Sequence, residues 1–452
     1  MGEKREAVAD LASPAISSTT IGDAPSWRRA TAALVLLGTF FYVSYGFSNW
    51  LASEHSDVPV VVFEWERSVP FIAWTIVPYW TTNLFYALSL YLCRSRSELD
   101  VHARRLLTAQ VIAVACFIAF PLRASFATPA VDGIPGFFFA TLGAFDMPFN
   151  QAPSLHVAIT TVLVALYVRI LPRWAAIGFV IWSLLVVASV LTTYQHHFID
   201  VPTGLLLGLL CIWMWPWQSG NRLAQWRMTT DGRRRTMAAR YAVAAGTLAG
   251  AAILFNGAFL WLLWPAVALI AVAAAYLGFG PSLFAKGDDG KVDWAIRLML
   301  LPYRLGARLN VWLWTRKEPA QVEICDGVWL GRFPSSTECR GIKAIVDMTC
   351  EFPSRSFPGD WHCIPMLDLV APEATALRAA ANRIESVRGK GPVLVCCALG
   401  YGRSAAALAV WLVRTGRSAD PAAALERLKQ ARPRLAVNAR QEQAVREAVN
   451  GC

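Results

Sequence analysis

Charged residues are scarce in this chain of 452 residues, of which only 16% are Asp, Glu, Lys or Arg. An ordinary soluble domain carries roughly 25%. Hydrophobic residues make up 56% of the chain, and the mean hydropathy is +0.41. These values exclude a soluble globular protein, a disordered protein and a small disulfide scaffold. They indicate an integral membrane protein.

Two kinds of binding motif are also missing. The ten cysteines include no Cys-x2-Cys pair with zinc spacing, so no metal site is expected. No basic segment is interleaved with aromatic residues, so nucleic acid is not an expected partner. The net charge of +11 is assigned instead to cytoplasmic loops. Neither a metal nor another cofactor is therefore predicted.

Long apolar runs predict about eight membrane spans, because a bilayer requires about 20 apolar residues per helix. The runs lie near residues 28–52, 69–93, 106–122, 155–171, 174–192, 201–217, 241–263 and 265–280. Arginines recur in alternate loops, which the positive-inside rule assigns to the cytoplasm. Both termini are then cytoplasmic, and the remaining loops face the exterior. We expect the membrane to be a bacterial inner membrane, in which case these loops face the periplasm.

The composition changes at both ends of this membrane part. Residues 1–27 are polar and are predicted to be a disordered tail. Residues 281–318 alternate apolar and basic side chains, which predicts an amphipathic interfacial linker, with a partly helical linker as the alternative. Residues 319–452 alternate short apolar strands with helical patterns. The predicted fold class is a polytopic α-helical membrane domain at 28–280 followed by a small α/β domain with a central sheet.

Two histidine motifs end apolar runs on the predicted outer side. Residues 153–156 read Pro-Ser-Leu-His, and residues 196–200 read His-His-Phe-Ile-Asp. A helix would place His196 and Asp200 on one face, because they are four residues apart. The carboxylate could orient the His196 ring for nucleophilic attack while His156 protonates a leaving oxygen. Capping of helix ends by interfacial histidines is the structural alternative.

These motifs resemble those of the type 2 phosphatidic acid phosphatase superfamily, over about residues 70–217. The Pro-Ser-Leu-His form and the paired histidines are more similar to its inositol phosphorylceramide synthase branch. The resemblance implies that His196 forms a phosphohistidine and that Asp200 orients it. It also implies that His156 is the general acid and that Ser154 helps to bind the phosphate. His197 is the alternative nucleophile.

The chain departs from the superfamily pattern at two cationic positions. Val190 stands where the superfamily has an arginine, and no Lys-x6-Arg-Pro motif occurs, so Arg123 is the nearest substitute. Fewer cations weaken the neutralisation of a phosphate transition state. One alternative to monoester hydrolysis is therefore head-group phosphotransfer. The other is a membrane half that serves as a non-catalytic anchor or lipid sensor. A transporter is disfavoured because no ladder of intramembrane charges appears.

The segment 393–404 is the strongest motif of the chain. It leads from an apolar strand through a glycine-containing loop into an alanine-rich helix. The backbone N–H groups of such a loop bind anions and favour the thiolate of Cys397. Arg403 can then grip a phosphate with two hydrogen bonds, and Ser404 can stabilise the leaving thiolate. The loop residues expected to surround the phosphate are Ala398, Leu399, Gly400, Tyr401 and Gly402.

This motif resembles the dual-specificity branch of the Cys-dependent protein tyrosine phosphatases, over roughly residues 319–452. The resemblance implies a phosphocysteine at Cys397 and a general acid at Asp368, with Asp360 and Glu373 as weaker candidates. Cys396 stands where the family has a histidine that orients the loop, which predicts reduced rather than abolished activity.

Together the two motifs predict a membrane-bound phosphoric monoester hydrolase with two sites. The cysteine site is expected to act on a phospholipid phosphate, and the histidine site to hydrolyse or transfer a lipid phosphate or head group. Membrane phospholipids are the expected partners. The alternative is a membrane-anchored protein phosphatase, for which phosphoproteins are the partners and the membrane half is not catalytic. No oligomeric state is predicted.

Overall fold

The computed structural model describes residues 25–217 and 221–451. The chain divides into two compact units. The first comprises the described residues up to 224 together with 251–261, and the second comprises 225–250 and the described residues from 262 onward. All but the last residues of the predicted N-terminal tail lie outside the described part.

The first unit is helical. It is built mainly from α1 (Trp27–Ser53), α2 (Ile76–Tyr91), α3 (Arg96–Ala119), α4 (Gly133–Gly143), α5 (Leu155–Ile170), α6 (Arg173–Thr192) and α7 (Asp200–Met214). All of these except α4 occur where the apolar runs predicted a helix. The helix α4 was not predicted, because its eleven residues are too few to span a membrane and were assigned to a loop.

Five helices of the described residues are long and apolar enough to cross a membrane. They are Trp27–Ser53, Arg96–Ala119, Arg173–Thr192, Gly232–Phe255 and Gly257–Phe284. The helices α5 and α7 are apolar but have only 16 and 15 residues. The membrane character of this half thus agrees with the sequence, whereas the count of eight spans stays a prediction.

The helix α5 lies at the centre of the first unit and is buried on nearly all sides. Its neighbour α7 carries Gly204 and Gly208, one turn apart. A Cβ at Gly204 would lie 2.4 Å from the carbonyl oxygen of Ser154, and one at Gly208 would lie 2.6 Å from Thr161 Cβ. Small residues permit this close approach of two helices. The approach brings the two histidine motifs, which begin α5 and α7, to the same end of the unit.

The second unit contains both helices and strands. Its helices are α8 (Gly232–Phe255, shared with the first unit), α9 (Leu263–Ala274), α10 (Trp294–Met299), α11 (Leu301–Thr315), α12 (Ala374–Arg388), α13 (Arg403–Arg414), α14 (Pro421–Ala431) and α15 (Ala439–Asn450). Its strands are β1 (Gln321–Cys325), β2 (Val328–Arg332), β3 (Ala344–Thr349), β4 (Asp360–Met366) and β5 (Val393–Cys397). A π-helical segment, Ala275–Phe279, follows α9.

The five strands form one mixed sheet in the order β1-β2-β5-β3-β4. Only β1 and β2 are antiparallel; the other neighbours are parallel. The strands β3 and β5 are buried along their whole length, as expected for parallel strands covered on both faces. One face packs against α12 to α15 around Trp411 and Leu408. The predicted small α/β domain with a central sheet is therefore confirmed.

The segment between the membrane helices and the sheet is bound to the sheet. Lys286 is fully buried and donates to Asp347 Oδ2 at 2.5 Å and to Thr349 Oγ1 at 2.9 Å. Burial opposes the charge of this lysine, but Asp347, Cys363 and Glu351 together outweigh the burial and raise the pKa of Lys286. The helix α11 packs Ala307 and Val311 against Phe333. The predicted linker thus contacts the domain that it precedes.

Candidate active sites

The first site lies where the two histidine motifs meet. His196 Nδ1 lies 3.1 Å from Asp200 Oδ2, and both side chains are buried. The backbone N–H of Ser154 donates to the carbonyl oxygen of Asp200 at 3.0 Å, which joins the motifs directly. Since Nδ1 faces a carboxylate, the other ring nitrogen of His196 is left as the acceptor. Among the described residues nothing hydrogen-bonds to that nitrogen.

The neighbouring His197 has both ring nitrogens engaged. The backbone N–H of Ser125 donates to Nε2 at 3.0 Å, so Nε2 carries no proton and its lone pair is used. The remaining proton is on Nδ1, which lies 3.3 Å from Glu66 Oε2. Burial opposes ionisation of Glu66, but hydrogen bonds from His197 and from two backbone N–H groups outweigh it and lower its pKa. His197 is thus held in one tautomer.

His156 faces the His196 ring from α5. The two ring centroids are 6.4 Å apart, and His156 stacks on Tyr79 at 4.0 Å. The two rings are therefore neighbours, as a nucleophile and a general acid that act on one phosphoester must be.

The remaining predicted members of this site are placed differently. Ser154 is fully buried, and its hydroxyl caps α5 by accepting from the backbone N–H of Val157 at 3.5 Å. Arg123 is exposed, and in the described part of the chain its side chain makes no ion pair with this site. Val190 is fully buried among apolar side chains, including Ile76. The structure thus brings together His156, His196 and Asp200, with the backbone of Ser154, but not the guanidinium of Arg123.

The second site lies at the carboxyl ends of three parallel strands. Cys397 ends β5, Glu351 follows β3 and Asp368 follows β4. Ligands of open α/β sheets bind at this edge. Because β5 lies between β2 and β3, the loop 398–402 and the start of α13 are central in the site.

The sulfur of Cys397 accepts two hydrogen bonds. The donors are the backbone N–H of Gly400 and the hydroxyl of Ser404, both at 3.3 Å. Gly400 has a φ of +76°, and a Cβ there would lie 2.6 Å from the carbonyl of Gly331, so the turn requires glycine. The adjacent Cys396 is fully buried, and burial raises its pKa. Only the second of these two cysteines is therefore arranged as a thiolate nucleophile.

The loop between β5 and α13 is held from outside by Arg432. Its guanidinium donates to the carbonyl oxygen of Leu399 at 3.2 Å and lies 5.1 Å from the ring centroid of Tyr401. Phe333 donates its backbone N–H to Ala398 at 3.2 Å, and Gly402 caps α13. These contacts occupy the carbonyl oxygens of Ala398 and Leu399, as expected for a loop whose backbone N–H groups bind an anion.

Arg403 is held by Glu351, a residue that sequence analysis missed. Two guanidinium nitrogens donate to the carboxylate at 2.7 and 3.0 Å, and both side chains are buried. Burial opposes ionisation of Glu351, but Arg403, a backbone hydrogen bond and Lys286 together outweigh it and lower the pKa of Glu351. Burial likewise opposes the charge of Arg403, whereas Asp368 and Glu351 raise its pKa. The guanidinium is therefore charged and oriented before any phosphate binds.

Asp368 lies beside Arg403 on a partly exposed loop. Its Oδ1 is 3.3 Å from Arg403 Nε, and its side chain is 40% exposed. Asp360 instead pairs with Lys390 at 2.7 Å, and Glu373 precedes α12. Neither makes an ion pair with Arg403 in the residues that the structure describes. Of the three acids considered, Asp368 alone has the position of a general acid.

Each half of the chain is similar to a known family. A model of the PAP2 superfamily matches residues 135–224. A model described as "Polymorphic toxin system, DSP-PTPase phosphatase" matches residues 337–417. Both halves match phosphatase families. The predicted fusion is thereby supported, as are a phosphoric monoester hydrolase and an integral membrane protein. No curated protein sequence matches the chain.

Solved structures resemble the second half over less than a third of this chain. PTPMT1 has 18% identity and a TM-score of 0.26, and the match covers 28% of this chain and 93% of that chain. Tk-PTP in its active form has 26% identity and a TM-score of 0.27, with 29% and 96% covered. Human DUSP28 has 21% identity and a TM-score of 0.27, with 28% and 94% covered.

Proposed function

We propose that the second site hydrolyses phosphate monoesters through a phosphocysteine. The Cys397 thiolate attacks phosphorus, the bond from phosphorus to the ester oxygen breaks, and Asp368 gives its proton to that oxygen. Arg403 and the loop N–H groups neutralise the equatorial oxygens. Water then attacks the phosphocysteine and releases phosphate, while Ser404 donates to the departing thiolate. The observation that carries this proposal is the pair of hydrogen bonds to Cys397 Sγ.

The surroundings of this site favour a phosphate carried by a membrane lipid. The inner side of α11 packs Ala307 and Val311 against Phe333, which contacts the loop at Ala398. The outer side of the same helix exposes large apolar residues, namely Leu305, Leu309, Trp312, Leu313 and Trp314. An exposed apolar stripe with flanking arginines is typical of a helix in the membrane interface. Such a helix would hold the loop close to lipid head groups.

The test uses full-length protein in lipid vesicles. His196→Ala is present in every protein of this test, so that the histidine site does not contribute. We expect phosphate release from phospholipid monoesters to exceed release from phosphopeptides, and Cys397→Ser to abolish both. Cys396→Ala is the matched control and should retain activity, because Cys396 is buried away from the loop. Release from phosphopeptides alone would contradict the lipid substrate. Release by Cys397→Ser would contradict the cysteine mechanism itself.

We further propose a second reaction at the histidine site, with His196 as the nucleophile. His196 Nε2 attacks the phosphorus of a lipid phosphoester, and His156 gives a proton to the leaving oxygen. Water or a second alcohol then takes the phosphoryl group from the phosphohistidine. The observation that favours His196 over His197 is that both nitrogens of His197 are already bound.

A phosphohistidine can be detected as an acid-labile adduct. In a Cys397→Ser background, we expect a lipid substrate to label the protein at position 196. His196→Ala should abolish the adduct, whereas His197→Ala should still form it at a lower rate, because the Glu66 and Ser125 contacts are lost. An adduct mapped to His197 would reverse the assignment. No adduct and no loss of lipid turnover in His196→Ala would favour a non-catalytic membrane half.

A further inference from the structure

A small cavity of about 40 Å³ lies beside His156 in the first unit. Aromatic side chains of α1 and α2 form most of its wall, among them Tyr45, Tyr79 and Trp80. Asp146 and His156 complete the wall. Because His156 also faces His196, the cavity lies on the side of the site from which a leaving alcohol departs.

The carboxyl of Asp146 makes no ion pair among the described residues, and burial raises its pKa. Asp146 accepts from the hydroxyl of Tyr45 at 3.3 Å and from the amide of Asn49 at 3.1 Å, both of which are neutral donors. A buried charge is normally paired with an opposite charge. The faces of the surrounding rings are also negative and attract cations. The cavity is therefore suited to a positively charged group.

Two residues that line the cavity also carry a buried polar atom without a hydrogen bond among the described residues. These atoms are Trp80 Nε1 and Thr82 Oγ1. Thr82 is only 4% exposed. Unpaired buried polar groups are costly and commonly mark a place for a ligand or water.

The size of the cavity limits the ligand. One water needs roughly 10–15 Å³ by this measure, so the volume of about 40 Å³ corresponds to about three waters. A two-carbon amino alcohol, with four non-hydrogen atoms, is of that size. Inositol and a trimethylammonium alcohol are much larger and would require the rings to move.

We propose that this cavity binds the ammonium group of a small amino alcohol whose phosphoester is the substrate of the histidine site. This inference rests on the proposed role of that site. The bond from phosphorus to the amino-alcohol oxygen breaks as His196 attacks, and the oxygen takes the proton of His156. The ammonium lies between the aromatic rings and the carboxylate of Asp146. Both a lipid-borne and a free phosphoester of this alcohol present the same chemistry.

The experiment measures turnover in the full-length Cys397→Ser protein. The substrates are phosphatidylethanolamine in vesicles, soluble phosphorylethanolamine, and phosphatidylglycerol and phosphatidylinositol as uncharged-alcohol controls. We expect ethanolamine release to be preferred, and Asp146→Asn to raise KM for the amine substrates about tenfold or more while leaving phosphatidylglycerol little changed. Asp132→Asn is the matched control, because Asp132 is exposed. If phosphatidylethanolamine is preferred, the natural substrate is the lipid. If phosphorylethanolamine is preferred, it is the free ester.

A binding measurement separates failure of the cavity from failure of the histidine chemistry. Radiolabelled ethanolamine is titrated against the full-length protein and its Asp146→Asn and Trp80→Leu variants. If both variants weaken ethanolamine binding but no turnover occurs, the ammonium-binding role of the cavity is supported and the proposed reaction at His196 is contradicted. The proposed cavity function is overturned if Asp146→Asn affects the turnover of all substrates equally. It is also overturned if the protein does not bind ethanolamine.

Discussion

At the scale of single residues, the Arg403–Glu351 pair determines the electrostatics of the cysteine site. Two charge-assisted hydrogen bonds hold the buried guanidinium of Arg403 in one orientation. Breaking a buried ion pair by removing one partner costs about 3–5 kcal/mol. Glu351→Gln should therefore lower both the melting temperature of the full-length protein and its cysteine-site activity. Glu442→Gln removes an exposed pair with Arg446 and should cost less than about 1 kcal/mol.

The same pair predicts a dependence of stability on pH. The folded pKa of Glu351 lies below its ordinary value of 4.5. The pair therefore contributes stability above about pH 4.5 and loses it as the pH falls through the folded pKa. Melting curves at a series of acidic pH values should show a smaller loss of stability in Glu351→Gln than in the wild type. Parallel curves for the two proteins would contradict this assignment.

At the scale of secondary-structure elements, the loop of Asp368 is bound to the end of the last apolar helix. Tyr276, in the π-helical segment, donates its hydroxyl to the carbonyl oxygen of Asp368 at 2.8 Å. Arg233 also donates to the carbonyl oxygen of Leu369, at 3.4 Å. A π-helical turn inside an apolar helix often marks a functional position. Here it places the proposed general acid relative to Arg403.

Loss of the Tyr276 contact should impair proton donation specifically. Tyr276→Phe should slow the hydrolysis of alkyl phosphates about tenfold but affect aryl phosphates with good leaving groups much less. Tyr241→Phe is a matched control, because the Tyr241 ring stacks on Tyr276 and makes no hydrogen bond to the loop. The measurement is kcat for a series of leaving groups. Equal slowing of all substrates would indicate a purely structural role.

The exposed stripe of α11 predicts a requirement for the membrane surface. Leu309 is 56% exposed, and burying a leucine contributes about 1.5–3 kcal/mol. Leu309→Glu should therefore raise KM for lipid in vesicles about tenfold or more, while KM for a soluble ester stays unchanged. Asn310→Glu adds the same charge at a polar position of the helix. Equal effects of both variants on both substrates would show that charge, not lost burial, is responsible.

At the scale of the whole molecule, the charge of the loops predicts the topology. Arginines cluster at residues 222–240, whereas residues 192–200 contain neither lysine nor arginine. Reporter fusions at residues 230 and 450 should therefore both read cytoplasmic, and one at residue 130 external. Fusions at 230 and 450 that both read external would overturn this topology.

The fold class and the two motifs were determined by the sequence itself, because their signals are local. Apolar runs, the strand before Cys397 and the spacing to Arg403 each occupy a short segment. The helix α4 and the strand β4 were missed. The helix α4 is too short for a span, and β4 buries Cys363 and Met366, which are three residues apart and do not form a strand-like alternation. Their formation depends on neighbours that are distant in the chain.

Only the tertiary structure decided how the candidate site residues are held. His197 is engaged by Ser125 and Glu66, which are 72 and 131 residues away, so no local pattern separates it from His196. Arg403 is oriented by a carboxylate 52 residues before it. Hydrogen bonds and buried ion pairs of this kind depend on which strand and helix ends meet, and that is determined by packing rather than by sequence spacing.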